Sequence, residues 1–209
     1  MITVFTPTYN RKKTLPRLYD SLCKQNYLDF EWLVIDDGST DETEELFKIW
    51  TRKDSIITIR YERIKNGGKQ RAINKALDLA NGNIFFIVDS DDKLANDTLQ
   101  FIHNAFETLP KDNSFIGVAG LKVKFDGSYI KKKPLIDPKI GYVDCTNIER
   151  PKYCLESDMA EAFFTNRLIK YRFPVWENEK FTPESVIWDQ IALDGYKVRW
   201  FNKKIYYKK

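Results

Sequence analysis

Apolar runs of strand length alternate along this chain with segments of helical period, and the alternation predicts a mostly parallel α/β sheet flanked by helices on both faces. "ITVFTP", from Ile2, reads as the first strand. Leu15, Leu18, Tyr19 and Leu22 then fall at i, i+3, i+4 and i+7, giving one apolar face to a helix over roughly residues 12–25. "FEWLVID" is a second strand ending at Asp36-Asp37-Gly38. Ser39 and Glu42 of "STDE" stand at capping-box spacing, predicting the start of a helix that carries Leu46, Phe47 and Trp50. "SIITIRYE", residues 55–62, is a third strand, and a "KNGGKQ" turn follows it. The next helix carries Ala72, Ile73, Ala76, Leu77 and Ala80 and is closed by Asn81-Gly82. "NIFFIV" is a fourth strand, apolar on both faces as a central parallel strand is.

In open α/β sheets ligands bind beyond the carboxyl ends of the strands. Three of these strands end in polar clusters: Thr8-Tyr9-Asn10-Arg11, Asp36-Asp37-Gly38-Ser39 and Asp89-Ser90-Asp91-Asp92. Carboxylates converging on one mouth raise one another's pKa unless a cation sits between them. A hard divalent metal meets that need. Mg²⁺ or Mn²⁺ takes oxygen ligands and keeps waters and substrate phosphates, so one or two aspartates suffice beside a diphosphate. Asp41 and Asp97 are assigned to capping. Asp89 and Asp91 are not needed for that purpose, because Asn96 or Asp97 can cap the helix that follows.

Composition narrows the class. The 209 residues are 43% hydrophobic, enough for one domain with a full core, and no stretch has membrane-spanning length. Met1 runs directly into the first strand, so no secretory leader is predicted and a cytoplasmic protein is expected. Cys23, Cys145 and Cys154 are odd in number, lack CxxC spacing and have only His103 to partner them, which argues against a cysteine zinc site and a disulfide framework. A net charge of +4 suits anionic small ligands or a membrane surface and is too weak to indicate nucleic acid. His103 fits a packed helix position and Cys23 a core position. "YIKKKP" after the "FDGSY" turn reads as a solvated hairpin, with a phosphate patch or an acceptor loop as alternatives. "KKIYYKK" reads as an edge strand with a charged tail, or as a segment touching a bilayer surface.

"TPTYNR", then "DDGSTD" one strand-helix-strand unit on, then "DSDD" closing the fourth strand, with "NGGK" before the third helix, resembles the family 2 glycosyltransferases of the GT-A fold. The resemblance implies a single catalytic domain with a nucleotide-sugar half, residues 1–112, and an acceptor half, residues 113–209. It implies Mn²⁺ or Mg²⁺ dependence, inversion at the anomeric carbon, and a setting in bacterial surface-polysaccharide assembly, peripheral at the inner face of a membrane. The expected donor is a UDP-sugar and the expected acceptor a saccharide or lipid-linked saccharide. Pro7, Thr8 and Tyr9 then line base and ribose, Asp37 binds the base, Asp89 and Ser90 lie near ribose or donor sugar, and Asp91 holds the metal. Arg11, Lys69 and Arg71 are the cations placed to meet base or diphosphate, and Asp92 supports the aspartates beside it. The chemistry agrees, since an imide N–H seeks a carboxylate and a tyrosine ring stacks on a base.

The attacking hydroxyl also needs a base. The resemblance places it at an "ED"-type motif opening a late helix, where this chain has Glu184-Ser185 within "KFTPESVIWDQIAL". Thr182 is expected as the cap and Pro183 at the first helical position. Glu184 is the expected base, followed by Asp189, with Asp158 as an acidic position near the acceptor. Trp188, Ile191 and Ala192 follow a helical period and are expected in the core. Two other classes remain: a domain that binds nucleotide-sugar or glycan without catalysis, and a metal-dependent nucleotidyltransferase, against which "TPTYNRKK" lacks a glycine-rich phosphate loop.

Overall fold

The apolar run after Met1 forms β1 (Ile2–Thr8), nearly all of it buried. It pairs in parallel with β2 (Phe30–Asp36) on one side and β4 (Ile84–Ile87) on the other, and β2 pairs in parallel with β3 (Thr58–Arg63). These elements come from a computed structural model that describes residues 1–52, 56–177 and 179–209. Ser55, the first residue of the predicted third strand, lies outside the described residues. The remaining strands are the short β5 (Lys93–Leu94), β6 (Phe115–Lys124), β7 (Tyr142–Cys145), β8 (Met159–Phe164) and β9 (Lys197–Lys208). All belong to one sheet in the order β3-β2-β1-β4-β8-β6-β9-β5, with β7 also pairing β9.

Beyond β4 the sheet is mixed. β8 runs antiparallel between β4 and β6, and β9 lies parallel to β6. β4 is therefore parallel to one neighbour and antiparallel to the other. Two direction reversals restore the original sense, so β1, β2, β3, β4, β6 and β9 all end at the same edge. β8 starts there, immediately after Asp158.

Helices cover both faces. α1 (Leu15–Cys23), α2 (Thr43–Trp50) and α4 (Thr98–Glu107) contribute Leu15, Leu18, Leu22, Phe47, Leu99 and Ile102 to a core with Trp32, Val34 and Phe86. α3 (Lys69–Leu79) and α6 (Ser185–Leu193) contribute Ala72, Ile73, Ala76, Ile187 and Ile191 to a second core with Phe5, Leu33 and Phe85. Alternate residues of β1 and β2 feed opposite cores, as the period of a strand requires. A short helix, α5 (Thr165–Leu168), follows β8, and a 3₁₀ helix spans Asn147–Tyr153.

Several local expectations are corrected. Ser39 and Glu42 make no capping box: Glu42 is left-handed (φ 61°), and Ser39 accepts instead from the Asn10 N–H, tying the first loop to the second. Asp41, assigned to capping, stands before the N-cap residue Glu42 and accepts from the Thr43 N–H and hydroxyl, so it braces the turn rather than capping the helix. Asp97 precedes α4 but its carboxylate takes the Lys203 ammonium at 2.6 Å rather than a helix N–H. Thr182 donates its hydroxyl to the Pro174 carbonyl and Pro183 precedes the helix, which begins after Glu184. The lysine-tyrosine run at the end of β9 is no edge strand, since it lies between β6 and β5 with Tyr206 fully buried. His103 is half-buried and stacked on Tyr27, and Cys23 is half-buried against the core. Trp188 is half-buried and stacks on Phe163.

Candidate active site

The loops after β1, β2 and β3 are joined by hydrogen bonds that use their polar residues. Asn10 is left-handed (φ 53°), and its side-chain oxygen accepts from the Thr40 N–H at 2.7 Å. Asp36, fully buried, accepts from the Ser39 N–H and the Tyr61 hydroxyl. The Asp37 carboxylate accepts from the Gly67 N–H at 2.7 Å, the Gly68 N–H at 2.8 Å and the Asn66 amide at 3.1 Å. That clasp requires glycine at 68: φ is +96°, and a Cβ would lie 1.9 Å from the Lys180 carbonyl oxygen. "NGGK" is thus the outer half of a loop that Asp37 holds shut.

The aspartates after β4 meet cations of the chain itself. Asp89 lies 2.8 Å from the Lys69 ammonium and 3.7 Å from that of Lys122, and its backbone N–H donates to the Tyr206 hydroxyl. Lys69 also pairs with Glu184 at 2.7 Å, and Lys122 with Asp158 at 3.2 Å. Lys208 reaches Asp158 from the rim at 3.0 Å. Glu184, Lys69, Asp89, Lys122, Asp158 and Lys208 therefore form one chain of alternating charge along the strand ends. Lys122 is its buried centre, with a side chain 9% exposed and its ammonium over the Tyr206 ring.

Burial alone disfavours every charge here, and the partners decide the outcome. Burial opposes ionisation of Asp89, but Lys69 and then Lys122 outweigh it and hold the carboxyl well below the usual range. Lys122 is likewise raised despite burial by Asp89 and Asp158, and Asp158 is lowered by Lys122 and Lys208. Asp92 has no ion-paired ammonium among the described residues, and Lys122 acts on it only at longer range. Burial, with Asp89 and Asp91 adding to it, pushes Asp92 up to about 6. The strand-end charge is thus offset by lysines rather than requiring a metal between the carboxylates.

Pro7, Thr8, Tyr9, Arg11, Asp37, Lys69, Asp89, Ser90 and Asp91 line one cavity of about 250 Å³. Tyr9 is 47% exposed there, and the Thr8 hydroxyl is buried without a hydrogen-bond partner among the described residues. A buried unpartnered hydroxyl at a cavity wall is costly unless a ligand engages it. Arg71 is not brought to this cavity. Its guanidinium donates to the carbonyls of Gly67, Glu179 and Trp176 and braces the segment before α6. Glu184 and Asp158 join the charged chain, whereas Asp189 is exposed and accepts from Asn147.

No group of three or more His, Cys, Asp or Glu among the described residues can hold a metal. Asp89 is engaged by two ammoniums. Asp91 is the available carboxylate, 40% exposed, with Arg11 at 3.9 Å as its nearest cation. One carboxylate fits a hard divalent ion that draws its other ligands from a diphosphate and water.

Lys122, Tyr206 and Lys208 were not foreseen in these roles. Lys122 had a signal: it interrupts "FIGVAGLKV", an otherwise apolar strand, and a lysine there needs a buried partner. Tyr206 and Lys208 had none, because only the parallel pairing of β6 with β9 brings them to the aspartates.

A doubly covered sheet with acidic and basic groups gathered at its carboxyl edge defines an α/β domain whose candidate ligand site lies where open α/β sheets carry theirs. This chain belongs to glycosyl transferase family 2, whose family description matches residues 3–165. The abequosyltransferase RfbV of Salmonella typhimurium is 34% identical over 110 residues, covering 52% of this chain and 33% of that protein. The poly(ribitol-phosphate) beta-N-acetylglucosaminyltransferase TarS of Staphylococcus aureus is 36% identical over 100 residues, 47% of this chain and 17% of TarS. The chain spans less than half the length of these curated relatives. In three dimensions it matches the S. aureus TarS fragment 1–349 in complex with UDP-GlcNAc (TM-score 0.76, 23% identity), covering 99% of this chain and 57% of that one. The mannosyltransferase PcManGT of Pyrobaculum calidifontis, in complex with GDP-Man and Mn²⁺, matches with a TM-score of 0.65 at 24% identity over 97% of this chain and 54% of that one. These likenesses establish the GT-A fold. No helix among the described residues is long and apolar enough to cross a membrane.

Proposed function

We propose that this chain is the catalytic domain of an inverting glycosyltransferase. It moves a sugar from a UDP-sugar to a hydroxyl of a saccharide or lipid-linked saccharide in surface-polysaccharide synthesis. Residues 1–112 form the donor side and residues 113–209 the acceptor side. One observation carries the reading: a cavity lined by Tyr9, Asp37, Asp89 and Asp91 adjoins Glu184, which shares the Lys69 ammonium with Asp89. Family membership and two structural neighbours holding nucleoside diphosphate sugars support it.

In this reading Tyr9 stacks on the base and Thr8 meets the ribose. Three donors already occupy the Asp37 carboxylate, which leaves capacity for about one more, the base imide N–H. Arg11 and Lys69 face the diphosphate. A divalent ion held by Asp91, when bound, offsets charge on the leaving diphosphate. Glu184 takes the acceptor hydroxyl proton as that oxygen bonds to the anomeric carbon and the bond from that carbon to the diphosphate breaks. Displacement from the opposite face inverts the configuration.

Calorimetric titration of UDP, GDP and CDP with and without Mn²⁺ tests the donor side. UDP should bind best, require the metal, and lose about tenfold or more in affinity in Asp91→Asn. Equal binding by the variant removes Asp91 from the metal site. Glu184→Gln should keep UDP affinity and lower transfer by about 10² to 10⁴-fold. Undiminished transfer shifts the base to Asp158 or Asp189. A protein that binds UDP but never releases it from a UDP-sugar, even with acceptors present, is a binding domain and not an enzyme.

A further inference from the structure

The positive charge of this chain is confined to one part of it. Residues 113–209 hold 18 Lys+Arg against 12 Asp+Glu, a net of +6, whereas residues 1–112 hold 16 against 18, a net of −2. Residues 122–133 and 203–209 alone carry nine lysines and a single acid, Asp126.

The fold sets these two segments side by side at the functional edge. β6 and β9 end together, with Lys124 paired in register to Lys208. Lys204 donates to the Gly127 carbonyl at 2.7 Å and lies over the Tyr129 ring. Lys131 donates to the Glu156 carbonyl, two residues before Asp158. Three of the nine lysines are held by carboxylates: Lys122 by Asp89 and Asp158, Lys203 by Asp97, and Lys208 by Asp158. The other six, Lys124, Lys131, Lys132, Lys133, Lys204 and Lys209, are exposed. No ion pair engages any of them among the described residues. Asp126 is turned to the Ser128 N–H of its own turn.

Like charges opposite one another on adjacent strands are destabilising. A solvated surface interleaves both signs to avoid that cost. Here six lysines cluster on one face, and no acid among the described residues pairs with them. The cations are all lysines, compact hydrated charges that respond to negative charge without the bidentate geometry an arginine imposes. We propose that this lysine apron is the acceptor-binding surface and that the acceptor is a polymer with repeating anionic groups, lying across the apron while one hydroxyl reaches Glu184. The word acceptor rests on the transferase reading; the polyanion site does not.

The test compares two variants of the full chain that each remove four charges. One carries Lys131→Gln, Lys132→Gln, Lys133→Gln and Lys204→Gln. The other carries Lys111→Gln, Lys139→Gln, Lys170→Gln and Lys197→Gln. Long-chain polyphosphate, polygalacturonate and neutral dextran are titrated against each at two salt concentrations, and UDP is titrated in parallel. The wild type should bind one or both polyanions and not dextran, with affinity falling steeply as salt rises. The apron variant should lose about tenfold or more, the control variant less than about threefold, and UDP affinity should be unchanged in both. Whichever polyanion binds more tightly identifies phosphate or carboxylate as the repeating group. Equal losses in the two variants, or dextran binding as well as the polyanions, overturn the proposal. So does an apron needed for vesicles containing phosphatidylglycerol but not for either polyanion, which makes this face a membrane contact. Failure of the wild type to bind UDP sinks the donor reading separately and leaves the polyanion result standing.

Discussion

Lys69 and Lys122 show how a single ammonium can decide what neighbouring carboxylates do. Asp89, with both lysines beside it, is held as a carboxylate in spite of burial, and Asp92, three residues on and with no ion-paired ammonium among the described residues, is pushed up by burial to about 6. Glu161 on β8 is a second case. Burial pushes it up from 4.5 to about 7, and its nearest ion-pair partner, the Arg150 guanidinium, is 3.9 Å away. An acid whose folded pKa is raised binds its proton more tightly in the native state. Stability therefore falls as pH rises from about 4.5 to about 7, and the loss is complete above that. Glu161→Gln removes this term. The variant should melt at or below the wild-type temperature near pH 4.5 and above it at pH 8, by an amount on the order of 1–3 kcal/mol. A gap independent of pH removes Glu161 as the cause.

At the level of elements, the loops matter more than the helices they introduce. The turn after β2 forgoes a capping box because Ser39 is needed by Asn10, and Asp37 closes on Gly67 and Gly68. α6 begins without a side-chain cap, and Glu184 turns to Lys69 instead. These helix starts surrender local stabilisation to the site, a trade found where polar side chains serve function. Gly68→Ala tests the clasp. Its Cβ would strike the Lys180 backbone oxygen at a positive φ, so a loss of about 1–3 kcal/mol in urea denaturation is expected, with weaker UDP binding. Unchanged stability means that the loop is not held as described.

Across the whole molecule, the two direction reversals of the sheet bring β6 and β9 to the same edge as β1, β2 and β4. The molecule holds both depressed and elevated carboxyls. Asp89 and Asp158 at the site, and Glu31 tied to Arg60 across the sheet, have folded pKa values below their usual 3.8 to 4.5, so the stability they contribute is lost as pH falls below about 4. Asp92 and Glu161 remove stability as pH rises above that range. Maximum melting temperature is therefore expected between about pH 4 and 5 for the isolated domain, and a maximum at pH 7 or above contradicts this balance. The elements up to β4 were legible because each is signalled within ten residues or so by its own period and turn chemistry, as with Leu15, Leu18 and Leu22 on α1. Most of the lining of the candidate cavity could be read for the same reason, since Tyr9, Arg11, Asp37, Asp89, Ser90 and Asp91 follow closely on β1, β2 and β4, with Lys69 added from the start of α3. Lys122, Tyr206 and Lys208 were not, and the end of β9 was misread as an edge. Those roles depend on contacts between residues as much as 117 positions apart, such as Asp89 with Tyr206. The sequence by itself determined the first four strands, the helical faces between them and the acidic strand ends, because short-range periodicity and turn residues act locally. Tertiary structure alone decided which cations meet those acids, because ion pairing depends on distance in space and the chain order of β8, β6 and β9 is not their order in the sheet.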